Sequence, residues 1–371
     1  MHNKQVVIHE FGGPKVIKIE TGPLPEPKPG EVRVRIEATS AGATDTTIRK
    51  GIYPLLKDKP PFTLGYDFVG MVDKLGEGVT ELKLGDRVAD MPQIGANANY
   101  ICRSASSVIC IPNLADAAEA VCLVLAWMTA YQMLTHFAEV QPGHSVLIHG
   151  GSGAVGNALL QLGKVIGLRM VATASANKQD MLTAHGATAI NYQAGDYEGQ
   201  LRHAAGVGFD AAFDATHHQS FNHSFRLLKP GGKFITYGTF SMAQSIQKRT
   251  APNFMKFGAS FGLLMAKLAL WNSLPNGKSA RFFGIVDSKT NQPERFRKDL
   301  NHLFDLLAQN KIKPTIHERL TLDEAVRAHQ LLDAGQVRGQ LVFVNSATKR
   351  TQINYLKLIR NVSTSQLSDN E

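Results

Sequence analysis

The chain has 371 residues, of which 43% are hydrophobic and 19% charged, more than one domain of ~100–200 residues requires and apolar enough for a sizeable core. Its formal net charge of +9 is compatible with nucleic acid, a membrane surface or anionic ligands. The Lys and Arg residues are scattered, however, in short groups such as Lys349-Arg350, with no extended aromatic-interleaved basic stripe, so nucleic acid is not expected as a partner.

Met1-His2-Asn3-Lys4 leads directly into a strand-like run, Gln5 to His9, without the apolar core of a signal peptide. Pro23, Pro25, Pro27 and Pro29 form an extended connection. It leads into Glu31 to Glu37, where Val32, Val34 and Ile36 share one face of a strand. Phe68 to Val72 and Arg87 to Ala89 are further strand-like pieces. Cys102, Cys110 and Cys122 contain no C-x-x-C pair. That count argues against a disulfide framework and for a reducing compartment, with all three read as small core residues.

Near residue 115 the pattern changes. Ala115 to Leu134 is helical in character, and strands and helices alternate from Ser145 to Tyr237, which predicts βαβ units and a parallel sheet. Phe257 to Leu270 is apolar but interrupted by Ser260 and Lys267. It is short of the ~20 apolar residues of a membrane span, so no transmembrane segment is expected. The run is read as a cover for a cleft that takes apolar molecules, with an oligomer contact or a membrane-surface helix as alternatives. Arg281 to Val286 reads as a strand and Pro293 to Gln309 as an amphipathic helix. Thr321 and Glu324 form a capping box. Leu341 to Val344 is the last strand, and Tyr355 to Ile359 in the polar tail is an apolar stretch able to dock. His217, His218 and His223 lack metal spacing and are read as surface residues.

The most informative motif is Gly151-Ser152-Gly153-Ala154-Val155-Gly156, a G-x-G-x-x-G that follows a strand and opens a helix, so that main-chain N–H groups can hold a pyrophosphate. In this reading Gly151 permits the tight turn, Gly153 the close approach of backbone, and Gly156 the packing of helix on strand. Sites that prefer NAD carry an acid roughly 20 residues beyond the turn. Val171 to Lys178 contains none. Ser175 can instead bond a 2′-phosphate and Lys178 neutralise it, which favours NADPH.

With this turn placed mid-chain behind a β-rich half, the sequence resembles the medium-chain dehydrogenase/reductases over roughly residues 4 to 345. Thr46 to Pro54, Leu84 to Val88, Thr129-Ala130-Tyr131, His149 to Gly156 and Leu227 to Gly232 resemble the quinone oxidoreductase branch. The resemblance implies a β-rich GroES-like catalytic domain (1–126 and 286–345), a Rossmann-type doubly wound parallel-sheet cofactor domain (127–285) and a polar tail (346–371). It implies a cytoplasmic homodimer that reduces a small apolar electron acceptor such as a quinone or enone, an enoyl thioester being the rival substrate and an NADPH-binding protein with little turnover the rival function. Lys178 and Tyr192 match positions at the 2′-phosphate, and Thr129 one near the nicotinamide. Tyr237-Gly238 and Phe282-Phe283 match strand ends beside the nicotinamide ring. Ala43-Thr44 replaces the Asn-Pro pair common in that branch.

Zinc-dependent members place a cysteine before the pair that matches Thr44-Asp45, where Gly42 and Ala43 stand here. They place a histidine where Gly65-Tyr66-Asp67 has Tyr66, and a third ligand that falls at Leu125. No cysteine lies between Val88 and Tyr100 for a structural zinc. Without a metal, hydrogen-bond donors must stabilise the developing oxyanion. Tyr53 resembles the proton-donating tyrosine of enoyl-thioester reductases, and Tyr66 is the second candidate donor. Metal analysis of protein purified without chelator is expected to find well under one zinc per chain; stoichiometric zinc would refute this reading.

Overall fold

The fold is taken from a computed structural model that describes residues 2–113, 116–216, 218–238, 246 and 249–345. His217, Lys349-Arg350 and the tail segment Tyr355–Ile359 lie outside the described residues. In the N-terminal part β1 (Asn3–Ile8) pairs antiparallel with β2 (Ile17–Gly22). The alternation at Val32, Val34 and Ile36 produces β3 (Glu31–Ala41), which bends through two register shifts and is followed by helix α1 (Ala43–Arg49). Then come β4 (Phe62–Thr63), β5 (Phe68–Leu75), β6 (Arg87–Asp90), β7 (Tyr100–Ser104) and β8 (Ile109–Cys110).

Helix α2 (Ala117–Phe137) starts where Asp116 accepts hydrogen bonds from the Ala118 and Glu119 amides, and it contains two π turns, Leu123–Trp127 and Met133–Phe137. The alternating half follows in the order expected: β9 (Ser145–Ile148), α3 (Ala154–Ile166), β10 (Arg169–Ala174), α4 (Gln179–Thr183), β11 (Thr188–Asn191), α5 (Tyr197–Ala205), β12 (Phe209–Asp214), α6 (His218–Arg226) and β13 (Leu228–Tyr237). Helix α7 (Ala251–Ser273) precedes β14 (Ser279–Phe283), α8 (Ile285–Asn291) and α9 (Pro293–Ala308), and β15 (Ile316–Leu320), α10 (Ala325–Asp333) and β16 (Gln340–Val344) close the described chain.

Six strands form one parallel sheet, ordered β11-β10-β9-β12-β13-β14. This is the doubly wound order, with the winding reversing beside β9, and ligands of such sheets bind outside the carboxyl ends of the strands at that reversal. The remaining strands form a three-stranded sheet, β2-β1-β4, and a seven-stranded sheet, β15-β16-β3-β5-β6-β8 with β7 on β3. Strand β16 runs antiparallel to β3, pairing Leu341 with Ala41, so the C-terminal strand returns to the N-terminal half. Arg49, fully buried, bonds Asp333 at 2.7 Å and the Gly12 carbonyl at 3.1 Å, tying α1 to α10.

Two expectations need correction. The strand expected at Arg281 to Val286 ends at Phe283, and Ile285 and Val286 belong to α8. Its partner β13 stops at Tyr237, opposite Phe283, and Gly238 turns away with φ +65°, so no ladder remains for Ile285 to join. The cysteines also differ from one another: Cys122 is buried, Cys102 intermediate and Cys110 exposed. Cys110 ends β8 with its side chain outward, which two residues of strand pattern do not reveal.

Candidate functional site at the carboxyl edge of the parallel sheet

Strand β9 runs into His149 and then the glycine turn. The left-handed residue is Gly150, φ +67°, not Gly151, so the tight turn falls one residue before the motif. A Cβ on Gly151 would lie 3.2 Å from Ala172 Cβ and Leu182 Cγ. A Cβ on Gly156 would lie 2.2 Å from the Gly150 carbonyl oxygen and 2.7 Å from Gly151 Cα, so α3 packs directly on the main chain of the turn. Gly153 is the extended residue that opens α3, and its missing Cβ would meet nothing nearer than Gly150 O at 3.5 Å. No side chain caps α3, so the first-turn amides at Ala154 and Val155 lack intrahelical partners at the positive end of the helix. Ser152 is buried, and its carbonyl accepts a hydrogen bond from Gly339 N at 2.8 Å.

His149 lies beneath the turn, with Nε2 2.8 Å from Ser224 Oγ and Nδ1 3.3 Å from both Thr173 Oγ1 and Tyr197 Oη. Burial lowers its pKa against the opposing pull of Asp214. A neutral imidazole with both nitrogens engaged supports the turn from below.

The end of β10 gathers Ser175, Lys178 and Tyr192. Ser175 Oγ donates to Asn177 Oδ1 at 2.8 Å. Lys178 Nζ donates to the carbonyls of Gly335 and Val337 at 2.8 and 2.9 Å. Partial burial, then the nearby Arg338 charge, lower its pKa. Tyr192 is half exposed, and its amide reaches the Ala174 carbonyl at 3.4 Å. Sequence reasoning missed Arg338, whose guanidinium bonds Asp180 at 3.0 Å and the Asn177 carbonyl. It lies 160 residues beyond Lys178 in the chain; only the return of β16 brings it here.

The positions expected beside a nicotinamide lie on the same half of the molecule. Thr129 is buried on α2 between its two π turns. Tyr237 ends β13, its pKa raised by burial and then by Asp214, and Gly238 follows it. Phe283 is committed to the core, edge-on to Phe137 at 4.9 Å, and Phe282 packs edge-on to Phe261 of α7 at 5.3 Å. Both rings are therefore already packed in protein.

Tyr53 and Tyr66 meet. Their hydroxyl oxygens are 2.6 Å apart and their rings stand perpendicular at 5.8 Å. Tyr66 is buried in the N-terminal core and Tyr53 half-buried. Burial raises both phenol pKa values, with Tyr53 adding to the effect on Tyr66, so both stay protonated at neutral pH. Asp45 and Asp67 lie below them, fully buried. Asp45 accepts from the Gly42 amide at 2.9 Å, and Asp67 from Ser40 N at 3.1 Å and Ser40 Oγ at 2.6 Å. Desolvation pushes Asp45 up to about 7 and Asp67 up to about 6.

These residues do not fit a catalytic zinc. Ala43 and Leu125 carry no donor atom, and the Tyr66 hydroxyl is hydrogen-bonded to Tyr53. Cys122 Sγ is turned to its own helix, 3.1 Å from the Ala118 carbonyl, and burial holds its thiol well above the usual range. Among the described residues no three His, Cys, Asp or Glu side chains gather as a metal site. The surface histidine His223 is instead 3.1 Å from Glu198.

Two family models match the chain: the alcohol dehydrogenase GroES-like domain over residues 28–150, and a domain described as zinc-binding dehydrogenase over residues 185–343. A quinone oxidoreductase of Pongo abelii is 31% identical over 64% of this chain and 73% of its own length. The synaptic vesicle membrane protein VAT-1 homolog of Rattus norvegicus is 29% identical over 93% of this chain and 85% of its own length. Among solved structures, a mycobacterial protein complexed with NADPH superposes with a TM-score of 0.76 at 26% identity, over 92% of this chain and all of that one.

The buried carboxyls make a pH-dependent prediction. Asp45 and Asp67 hold protons more tightly folded than unfolded, so stability is greatest where both states are protonated. It falls as pH rises from the unfolded value of 3.8 through the folded values of about 6 and about 7. Asp45→Asn is therefore expected to leave Tm nearly unchanged near pH ~3, below the unfolded value, and to raise it near pH ~8, by ~2–4 °C for each kcal/mol of relieved desolvation. Thermal melts showing an equal shift at both pH values would exclude this assignment.

Proposed function

From its membership of the quinone oxidoreductase family of medium-chain dehydrogenase/reductases, which makes this chain an oxidoreductase, we propose an NADPH-dependent reductase of quinones, enones or similar activated alkenes that works without zinc. The observation that carries the reading is the pairing of two features at one sheet edge. An uncapped glycine turn opens α3, and beside it the end of β10 places Ser175, Lys178, Tyr192 and Arg338 around a second-strand terminus without an acid.

Bound NADPH supplies a hydride. The protein's part is to hold it and to manage the charge that the transfer creates. Amides at the start of α3 take the pyrophosphate. Lys178 and Arg338 exchange main-chain carbonyls for the 2′-phosphate, a stronger acceptor because it is charged. Thr129, Tyr237 and Gly238 flank the nicotinamide side, with Phe282 and Phe283 fixing the edge of the sheet. As a domain assignment, residues 1–126 and 286–345 form the catalytic unit and 127–285 the cofactor unit. Tyr66 orients Tyr53, and Tyr53 donates a hydrogen bond, or its proton, to the substrate oxygen as negative charge develops. A quinone is already electrophilic and relies mainly on positioning, whereas an enone needs the donor more.

Two measurements test this. Lys178→Ala is expected to weaken NADPH binding at least ~10-fold, equivalent to about 1.4 kcal/mol, and to alter NADH binding little; equal losses for both nucleotides would remove the 2′-phosphate role. In a steady-state panel of quinones, enones and acyl thioesters, Tyr53→Phe is expected to lower kcat with an enone about 10²-fold and with a quinone much less. Unchanged enone turnover would dismiss Tyr53 as donor.

A further inference from the structure

We propose that the outer face of α7 rests on an anionic lipid surface, so that the protein binds such membranes peripherally. Two described helices are long and apolar enough to cross a membrane by length and composition, and they differ in burial: α2 is 83% buried in that window and α7 only 17%. Helix α2 is thus a core helix, while α7 presents its apolar residues to solvent.

One stripe of α7 does pack. Phe257, Leu264, Leu268 and Trp271 are buried, and Trp271 stacks on Phe225 at 4.3 Å. Asn272 accepts from Ala280 N at 2.7 Å and donates to Ala280 O at 2.9 Å, binding the helix along the edge strand β14. These contacts hold α7 against the protein, so it lies on a surface rather than leaving to span one. At 100° per residue, the side away from that stripe carries Met255, Gly258, Gly262, Leu263, Ala266 and Leu270. Met255, Leu263 and Leu270 are 73%, 72% and 61% exposed. A water-facing helix ordinarily carries charge there.

Charge identifies the occupant. After Asp214 no Asp or Glu occurs until Asp287, while nine Lys or Arg residues lie between them, matching the whole formal excess of +9. Lys229 and Lys233 are paired with Asp210 and Glu139 from other elements. Arg249, Lys256, Lys267 and Lys278, on α7 and at its two ends, form no ion pair among the described residues. Arg249 stacks on Phe254, Lys267 on Trp271, and Lys278 reaches the carbonyls of Phe225 and Arg226. A second copy of this chain would set an acid-free face against an acid-free face. An apolar helix bordered by cations suits a bilayer that bears anionic headgroups. Phe257 also packs with Ile52 and Ile246, so the packed side of α7, opposite the face proposed to meet lipid, rests beside the loop that carries Tyr53.

The test uses the full chain in flotation with vesicles of phosphatidylcholine alone and of phosphatidylcholine mixed with phosphatidylserine, at low and high salt, with light scattering of the same samples before lipid is added. Binding to the anionic vesicles is expected to exceed that to neutral ones by about tenfold at low salt and to fade at high salt. Arg249→Glu with Lys256→Glu, and separately Leu263→Asn with Leu270→Asn, are expected to lower it by about tenfold. These side chains are exposed, and unchanged melting and NADPH binding would show that the variants fold. No preference for anionic vesicles, or binding unaltered by both variants, overturns the proposal. So does a wild-type dimer that becomes monomeric in Leu263→Asn with Leu270→Asn, which would make α7 a subunit contact. Failure here leaves the reductase reading untouched, because turnover is measured without lipid.

Discussion

Helix α3 touches the turn before it with no side chain between them. With the missing Cβ of Gly156 only 2.2 Å from the Gly150 carbonyl oxygen, any other residue would lift the helix from β9 by forcing main chain apart, the costliest kind of overpacking. That single contact aims the first-turn amides of α3 across the end of the parallel sheet. It also places the Ser152 carbonyl where Gly339 N can reach it, and this joins the turn to the segment entering β16. Ser175 and Tyr192, which follow neighbouring strands, and the distant Arg338 gather around the same sheet end.

Much of this was legible in the sequence, because the features are local. A strand, a glycine-rich turn and an apolar helix follow one another within some twenty residues, and the alternation of strands and helices after residue 145 appears in the structure in that order. The positions that lack zinc ligands were equally readable, since Ala43, Tyr66 and Leu125 lack suitable donors whatever their surroundings. What escaped depends on long-range geometry. Arg338 has no local signal for a place beside Lys178. The left-handed turn at Gly150 was invisible because the motif begins at Gly151 and does not say which of the two adjacent glycines takes the positive φ. The Arg281–Val286 run looked like one strand because only the end of β13, a separate element, stops it at Phe283. The meeting of Tyr53 and Tyr66 depends on the segment after α1 and the segment before β5 coming together, which no spacing encodes.

The two halves of the site treat charge in opposite ways. At the turn and the end of β10, helix amides and cations concentrate positive potential on an exposed edge. Around Tyr66 the protein instead buries two carboxyls beside phenols that keep their protons. A donor in such dry surroundings interacts more strongly with a developing oxyanion than it would in water, and the raised carboxyl pKa values limit the opposing negative charge. Under the proposed function, an electrophile that needs little help and one that needs a proton would place different demands on this tyrosine pair.

The pairing of β16 with β3 also governs how the molecule is made. Leu341 lies opposite Ala41, so the seven-stranded sheet cannot close until some three hundred further residues have been translated, roughly 15–60 s at ordinary ribosomal speeds. During that interval β3 has one flank without its eventual neighbour, whereas the six-stranded sheet, with all its strands between Ser145 and Phe283, is already complete. Assembly of the described part of the chain therefore proceeds from the middle outward, and its last strand, β16, completes the sheet begun by β3.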